Sequence, residues 1–313
     1  MCLHDSVAED RNDNGKKLKN ILFQRTHGLS IDVEDYWSIF GRDWLGISAE
    51  PSDAVVRNTE WFLHALAEHN TTATFFILGE VARKFPSLVK QIANAGHEIG
   101  VHGFSHRQIF KLSKDEFRGE VADCKKLLED ITSNRIVGHR APAFSIIPQT
   151  QWALEVLVQE GFKYDSSVFP ISGKRYGWPG FSKDICKIDL PSGRSIIEVP
   201  MSTITILGKT LPIAGGGYIR HFPYIVTKLA IKHIQKTRPV VVYMHPYEID
   251  TESKIFETKY LSSKEQTKVV RLHKMQLRNR STVTKKLTSL LKTFQFTTIA
   301  KIISELFPFA VKI

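Results

Sequence analysis

His102 and His106 stand four residues apart in the run His-Gly-Phe-Ser-His. Two imidazoles at that spacing leave a helical turn on the same side and can grip one metal ion. Spacing alone is a weak sign, because a chain with 12 histidines produces such pairs by chance. The setting adds weight: Gly96-His97-Glu98-Ile99-Gly100-Val101 reads as a short strand that delivers His102 to its C-terminal end, where barrel sites lie. A hard oxygen is the expected complement to two imidazoles, and Leu29-Ser30-Ile31-Asp32-Val33-Glu34-Asp35 supplies three carboxylates at the end of an apolar strand. Packed so closely they repel one another unless a cation or an arginine neutralises them. The competing explanation is an acidic helix start stabilised by the helix dipole. Period-two geometry keeps Glu34 on the side of Asp32, whereas a turn at the strand end would present Asp35 instead, so both stand as candidates for the third ligand.

Further along, Arg140 opens an Ala-Pro-Ala-Phe turn, Asp165 lies in Tyr164-Asp-Ser-Ser167, and His245 follows an apolar run in Tyr243-Met-His-Pro246. Each has a plain structural explanation by itself: a surface ion pair for Arg140, a turn-former for Asp165, a satisfied core histidine for His245. Only their joint order points to chemistry.

The elements that must position these residues alternate. Residues 29–33, 73–78, 98–101, 196–199 and 240–244 form mostly unbroken apolar runs, as strands buried on both faces of a parallel sheet require. Amphipathic helical patterns lie between them, around 81–95, 114–131, 149–160 and 223–235, which implies βαβ units. Leu287, Leu290, Leu291 and Phe294 share one helical stripe, and 296–303 reads as a closing strand or helix. Residues 1–20 are polar and look like a loose leader, leaving 21–313 as one domain with a basic helical region from about 251 onward.

At this point the sequence resembles a known family. Asp32-Val33-Glu34-Asp35, then Ala73-Thr74-Phe75-Phe76-Ile77-Leu78-Gly79, then the strand and histidine pair from Gly96 to His106 are similar, in order and spacing, to carbohydrate esterase family 4. These are the polysaccharide deacetylases that share the nodulation-factor deacetylase fold. Arg140-Ala-Pro-Ala-Phe144, Tyr164-Asp-Ser-Ser167 and Tyr243-Met-His-Pro246 resemble its three later motifs, so the likeness covers roughly residues 28–250. It is closest to the subgroup associated with exosortase and extracellular-polysaccharide gene sets, where a Glu-Val-Pro segment and a Gly-rich turn recur like Glu198-Val199-Pro200 and Gly215-Gly216-Gly217-Tyr218 here.

The resemblance implies an α/β fold, a distorted (β/α) barrel of seven strands, and metal-dependent removal of the acetyl group from an N-acetylated sugar. It implies Asp32 as general base, His102 and His106 as metal ligands beside Glu34 or Asp35, and His245 as general acid. Arg140 would orient Asp32, Asp165 would orient His245, and a backbone N–H between Arg140 and Phe144 would hold the oxyanion. The metal would be zinc, with cobalt, nickel or manganese able to take the same ligands. The first motif departs from the common pair of adjacent aspartates, since Val33 intervenes. Trp37, Tyr36, Phe144, Trp178 and Tyr218 are candidates for stacking on sugars, and His139 for a further substrate contact. Two other readings of the same motifs are a hydrolase of a small amide or ureide and a non-catalytic glycan-binding relative.

Composition bounds the rest. With 42% hydrophobic and 24% charged residues in 313, the chain has the makings of a sizeable core. The net charge of +11 favours an anionic neighbour. Nine lysines and arginines from Lys264 to Lys292 are opposed only by Glu265, which reads as a solvated face or as a peripheral contact with a membrane or lipid-linked sugar. Without interleaved readout motifs, nucleic acid is not the expected partner. Cys2, Cys124 and Cys186 show neither CxxC spacing nor an even count, which fits a reducing compartment. With no signal-like or bilayer-spanning apolar run, the expectation is a cytoplasmic protein, free or peripheral at the inner face of the membrane; the oligomeric state is left open.

Overall fold

A computed structural model describes residues 26–173, 176–213, 215–253, 259 and 261–308. The expected leader over residues 1–20 lies outside the described residues. Eleven strands are present among them: β1 (Thr26–Val33), β2 (Thr74–Ile77), β3 (Glu98–Val101), β4 (Gly138–His139), β5 (Tyr164–Asp165), β6 (Cys186–Asp189), β7 (Ser195–Glu198), β8 (Thr203–Ile206), β9 (Lys209–Pro212), β10 (Val241–Met244) and β11 (Gln295–Thr297). The main sheet runs β10-β1-β2-β3-β4-β5-β7, parallel throughout, with β6 antiparallel outside β7 and β11 parallel beside the start of β1.

Consecutive strands lie side by side and the late strand β10 returns to β1, as in a β/α barrel left open along one seam. The chain between β7 and β10 crosses that seam: Val241 N donates to Ser202 Oγ at 2.8 Å, and Gly215 bridges Tyr243. This is the distorted barrel the motifs implied.

Strand β1 shows how the barrel positions chemistry. Every residue from His27 to Val33 is buried, yet the two faces differ in kind. Leu29, Ile31 and Val33 enter the main apolar core with Phe75, Ile77 and Val101. The alternate side chains, Ser30 and Asp32, both meet Arg140. Period two along a fully buried strand thus gives one apolar and one polar face.

The helical pattern over 81–95 is two helices, Gly79–Lys84 and Pro86–Asn94. Pro86 has no N–H to continue the first, and it starts the second at the position where its fixed φ costs nothing. The pattern over 149–160 shortens to Ala153–Gln159 after a 3-10 turn. At the C-terminal side both expected elements occur in turn, β11 and then the helix Ile299–Leu306. That helix start is tied to the sheet, with Ile299 N donating to Thr74 Oγ1 at 2.8 Å and Ala300 N to Glu98 Oε2 at 3.0 Å.

Part of the basic C-terminal region is internal. Arg280 is 1% exposed, donates to Asp250 O and Ser253 Oγ, and lies over the Tyr36 ring at 4.6 Å. Lys286 Nζ donates to Ile219 O and Arg220 O. Cys124 is a free, buried thiol. No described helix is long and apolar enough to cross a membrane.

Candidate active site

Glu34 follows the last residue of β1 and turns its carboxylate toward three histidines. Its Oε2 lies 2.8 Å from His106 Nε2 and 3.5 Å from His102 Nε2, and its Oε1 lies 3.2 Å from His245 Nε2. Glu34, His102 and His106 form the one group among the described residues whose ligand atoms all lie within 4.8 Å of one another, as a shared ion needs. Burial pushes the Glu34 carboxyl up, but His106, His245 and His102 together outweigh it and hold the group well below its usual range. Its Oε2 is buried without a hydrogen-bond partner. That donor set, two imidazole nitrogens and a carboxylate oxygen, fits a divalent cation of zinc type.

The histidine pair does not sit on a helical turn, as the four-residue spacing suggests. Residues 102–106 form a loop in which Gly103 (φ 77°) and His106 (φ 56°) are left-handed. The loop is fixed from outside. Glu120, on the helix Lys114–Thr132, accepts from Phe104 N at 2.8 Å, Ser105 N at 2.9 Å and Ser105 Oγ at 2.6 Å. Gly79 leaves room for the Phe104 ring, since a Cβ there would meet it at 2.4 Å. Arg42 donates to Ser105 O and pairs with Glu80 at 2.8 Å. His102 Nδ1 contacts Arg140 O at 2.9 Å; donating there leaves Nε2 as the lone-pair nitrogen facing Glu34.

Asp35 is the alternative ligand, and the structure gives its oxygens other partners. It is the N-cap of the helix Tyr36–Leu45, accepting from Ser38 N at 2.8 Å and Ser52 Oγ at 2.6 Å. Burial raises its carboxyl against these hydrogen bonds. A strand that stops at Val33 sends Glu34 to the barrel mouth and hands Asp35 to the helix that follows.

Asp32 is 1% exposed and sits between a cation and an imidazole: Arg140 Nη1 donates to its Oδ1 at 2.7 Å, and His245 Nε2 lies 3.9 Å from Oδ2. Arg140, itself fully buried, also donates to Ser30 Oγ, Ser166 O and Ser166 Oγ. Its guanidinium covers the Phe76 ring at 4.3 Å.

Asp165 does not orient His245. Its Oδ1 meets His139 Nδ1 at 2.6 Å and accepts from Ser167 Oγ at 2.7 Å. The reason is register: His139 on β4 and Asp165 on β5 are direct partners, so their side chains share one face. His139 is fully buried in this pair, which removes it as a substrate contact. Glu198 on β7 is the next partner of Asp165, and burial, then the Asp165 charge, pushes the Glu198 carboxyl well above its usual range.

Glu248 stands where Asp165 was expected. It lies 3.4 Å from His245 Nδ1, on the 3-10 turn Pro246–Glu248 that follows β10. Sequence reasoning missed it, although a carboxylate three residues after a strand-end histidine is a readable cue. Tyr247 stacks on His245 at 4.9 Å and 14°. Burial lowers the His245 pKa, but Glu34, Glu248 and Asp32 outweigh it and raise it to about 9. The Gly-rich turn explains itself here: a Cβ on Gly215 would lie 2.0 Å from the Tyr243 ring, and one on Gly216 would lie 3.3 Å from His245 Cε1.

Of the aromatic candidates, Tyr36 and Phe144 are buried, Tyr36 bonding His273 Nδ1 at 2.8 Å. Trp37 is half-buried and lines a cavity of about 470 Å³ beside Glu34, with Asp53, Arg57, Asn58 and Tyr247. Trp178 packs on Phe181, and Tyr218 pairs with Tyr176 at 3.2 Å.

The geometry so assembled is a barrel mouth with a metal-type cluster beside a buried Asp32–Arg140 pair and His245, and known proteins resemble the chain as follows. Residues 51–164 match the family model "Polysaccharide deacetylase", and residues 166–304 match "Domain of unknown function (DUF3473)". Over 104 residues the chain is 42% identical to peptidoglycan-N-acetylglucosamine deacetylase from Bacillus cereus, covering 31% of this chain and 36% of that one. Over 78 residues it is 37% identical to chitooligosaccharide deacetylase from Azorhizobium caulinodans, covering 25% and 37%. The chain therefore spans little more than a third of the length of these relatives. A crystal structure from Mycobacterium smegmatis, assigned there to the polysaccharide deacetylases, superposes with a TM-score of 0.60 at 18% identity, covering 92% of this chain and 91% of that one. The chain is thus similar to polysaccharide deacetylases over residues 51–164 and to the DUF3473 model over residues 166–304, the stretch that carries β6 to β11.

Proposed function

We propose that this protein hydrolyses the N-acetyl group of an N-acetylated sugar in a polysaccharide, oligosaccharide or lipid-linked glycan, releasing acetate. Glu34, His102 and His106 would hold a divalent cation, zinc before cobalt, nickel or manganese. When bound there, such a cation supplies Lewis acidity to the amide carbonyl and acidifies water.

The residues around it supply the rest. Asp32, oriented by Arg140, takes a proton from the attacking water. Among the N–H groups from Arg140 to Phe144, those of Arg140, Ala141 and Phe144 bond Val101 O, Ser167 Oγ and Ala141 O. Pro142 has none, which leaves Ala143 to donate to the developing oxyanion. His245, charged by its carboxylate neighbours, gives a proton to the departing amine, and Glu248 and Tyr247 hold its ring. The cavity beside Glu34 would take the sugar, with Trp37 as a wall.

One observation carries this reading: a three-ligand cluster stands next to Asp32 and His245, the two groups able to move protons. The test is acetate release from an N-acetylglucosamine oligomer by the zinc-loaded chain. Tight zinc binding with no acetate from any N-acetylated oligosaccharide or lipid-linked sugar would sink it.

A further inference from the structure

Strands β8 and β9 form a two-stranded sheet of their own, paired from Thr203↔Pro212 to Ile206↔Lys209 and joined by a turn of only Leu207 and Gly208. Both turn residues are left-handed, with φ 49° at Leu207 and 75° at Gly208. The first position of such a turn is ordinarily Asn, Asp or Gly, because a larger side chain meets its own carbonyl there. Leucine is therefore placed against its backbone preference. It gains no packing in return: Leu207 is 98% exposed, with Ile206 at 51% and Leu211 at 42% on the same hairpin. An apolar residue that is both strained and solvated at a protruding tip marks a contact surface.

The surroundings indicate the partner. Lys209 is exposed at the tip, and Lys183 Nζ rests against Thr205 Oγ1. Asp184, the neighbouring carboxylate, lies 3.9 Å from Arg238 Nε, and Arg238 donates to Thr203 O at the hairpin base. An apolar tip flanked by lysines, on a chain of net charge +11, complements an apolar layer under anionic headgroups. The hairpin is braced to carry the load, Thr205 and Thr210 pairing their hydroxyls across it at 3.2 Å.

We propose that the β8–β9 hairpin is a wedge that seats Leu207 and Ile206 in the acyl boundary of an anionic bilayer while Lys209 and Lys183 meet the headgroups. The proposal concerns this hairpin; of the described basic residues after 251, Arg280 and Lys286 serve the fold, and the others are exposed. The assignment stands independently of the reaction at the barrel mouth.

Co-sedimentation of the full chain with vesicles tests it, comparing pure phosphatidylcholine with a mixture containing about one-third phosphatidylglycerol. Binding is expected on the anionic vesicles only, released by high salt. Leu207→Asn should weaken it at least about tenfold, the loss expected from withdrawing one leucine from an apolar layer. Because Asn suits the left-handed turn, that variant should melt no lower than the wild type, so lost binding is not misfolding. Lys209→Glu should weaken binding to the anionic vesicles as well. Failure of the wild type to bind either vesicle, or unchanged binding by Leu207→Asn, would overturn the proposal. So would lipid-free self-association that Leu207→Asn abolishes, which would assign the tip to a second copy of the chain.

Discussion

Arg140 reaches Asp32 through Nη1 at 2.7 Å, with both side chains closed to solvent and three serine-derived acceptors completing the arginine's shell. Such a pair costs much to bury and more to break, because removing one member leaves the other charged in an apolar setting. Arg140→Met should therefore lower unfolding free energy by about 3–5 kcal/mol. Urea denaturation at neutral pH measures it; a loss below about 1 kcal/mol would mean the pair is effectively solvated.

Asp32→Asn keeps the shape of the side chain and removes its basicity. Acetate release should fall by about 10²–10⁴ while zinc affinity, measured by titration calorimetry, stays near the wild-type value. Undiminished turnover in this variant would remove Asp32 as the base.

Glu34 and Asp35 are separated by the same pair of measurements. Glu34→Gln should weaken zinc by more than the roughly 10–100-fold typical of an outer-shell partner. Asp35→Ala should leave zinc affinity intact and cost about 1 kcal/mol of stability through the lost cap on Ser38 N. The reverse pattern would exchange their roles.

Stability should fall with acid through a group far from the site. His27 is buried between Val240 N, which donates to its Nδ1 at 3.3 Å, and Gln235 Oε1, 3.3 Å from its Nε2. Burial lowers its pKa from 6.5 to about 4, against the Gln235 contact. Above pH 6.5 neither folded nor unfolded chain is protonated there; as pH falls toward 4 the unfolded chain takes the proton first, and stability drops by up to about 3 kcal/mol. Urea midpoints measured from pH 8 to 4 should slope less for His27→Asn than for the wild type across that window. Parallel slopes would show that His27 titrates normally.

The sequence by itself determined the parallel barrel and the ligand types. The alternating run from Leu29 to Val33 and the apolar run from 240 to 244 became β1 and β10, and the motif order brought Asp32, Glu34, His102, His106, Arg140 and His245 into one locus. Those features are local, written in side-chain periodicity and in residues that sit at strand ends. Tertiary structure alone decided which carboxylate serves which base. Asp165 went to His139 because adjacent parallel strands set them in register, and Glu248 took His245 because a 3-10 turn folded it back. The end of β1 at Val33 likewise separated Glu34 from Asp35, one facing the histidines and the other capping a helix. Pairings across strands depend on register and on where each strand stops, and neither quantity has a signature in the order of residues along the chain.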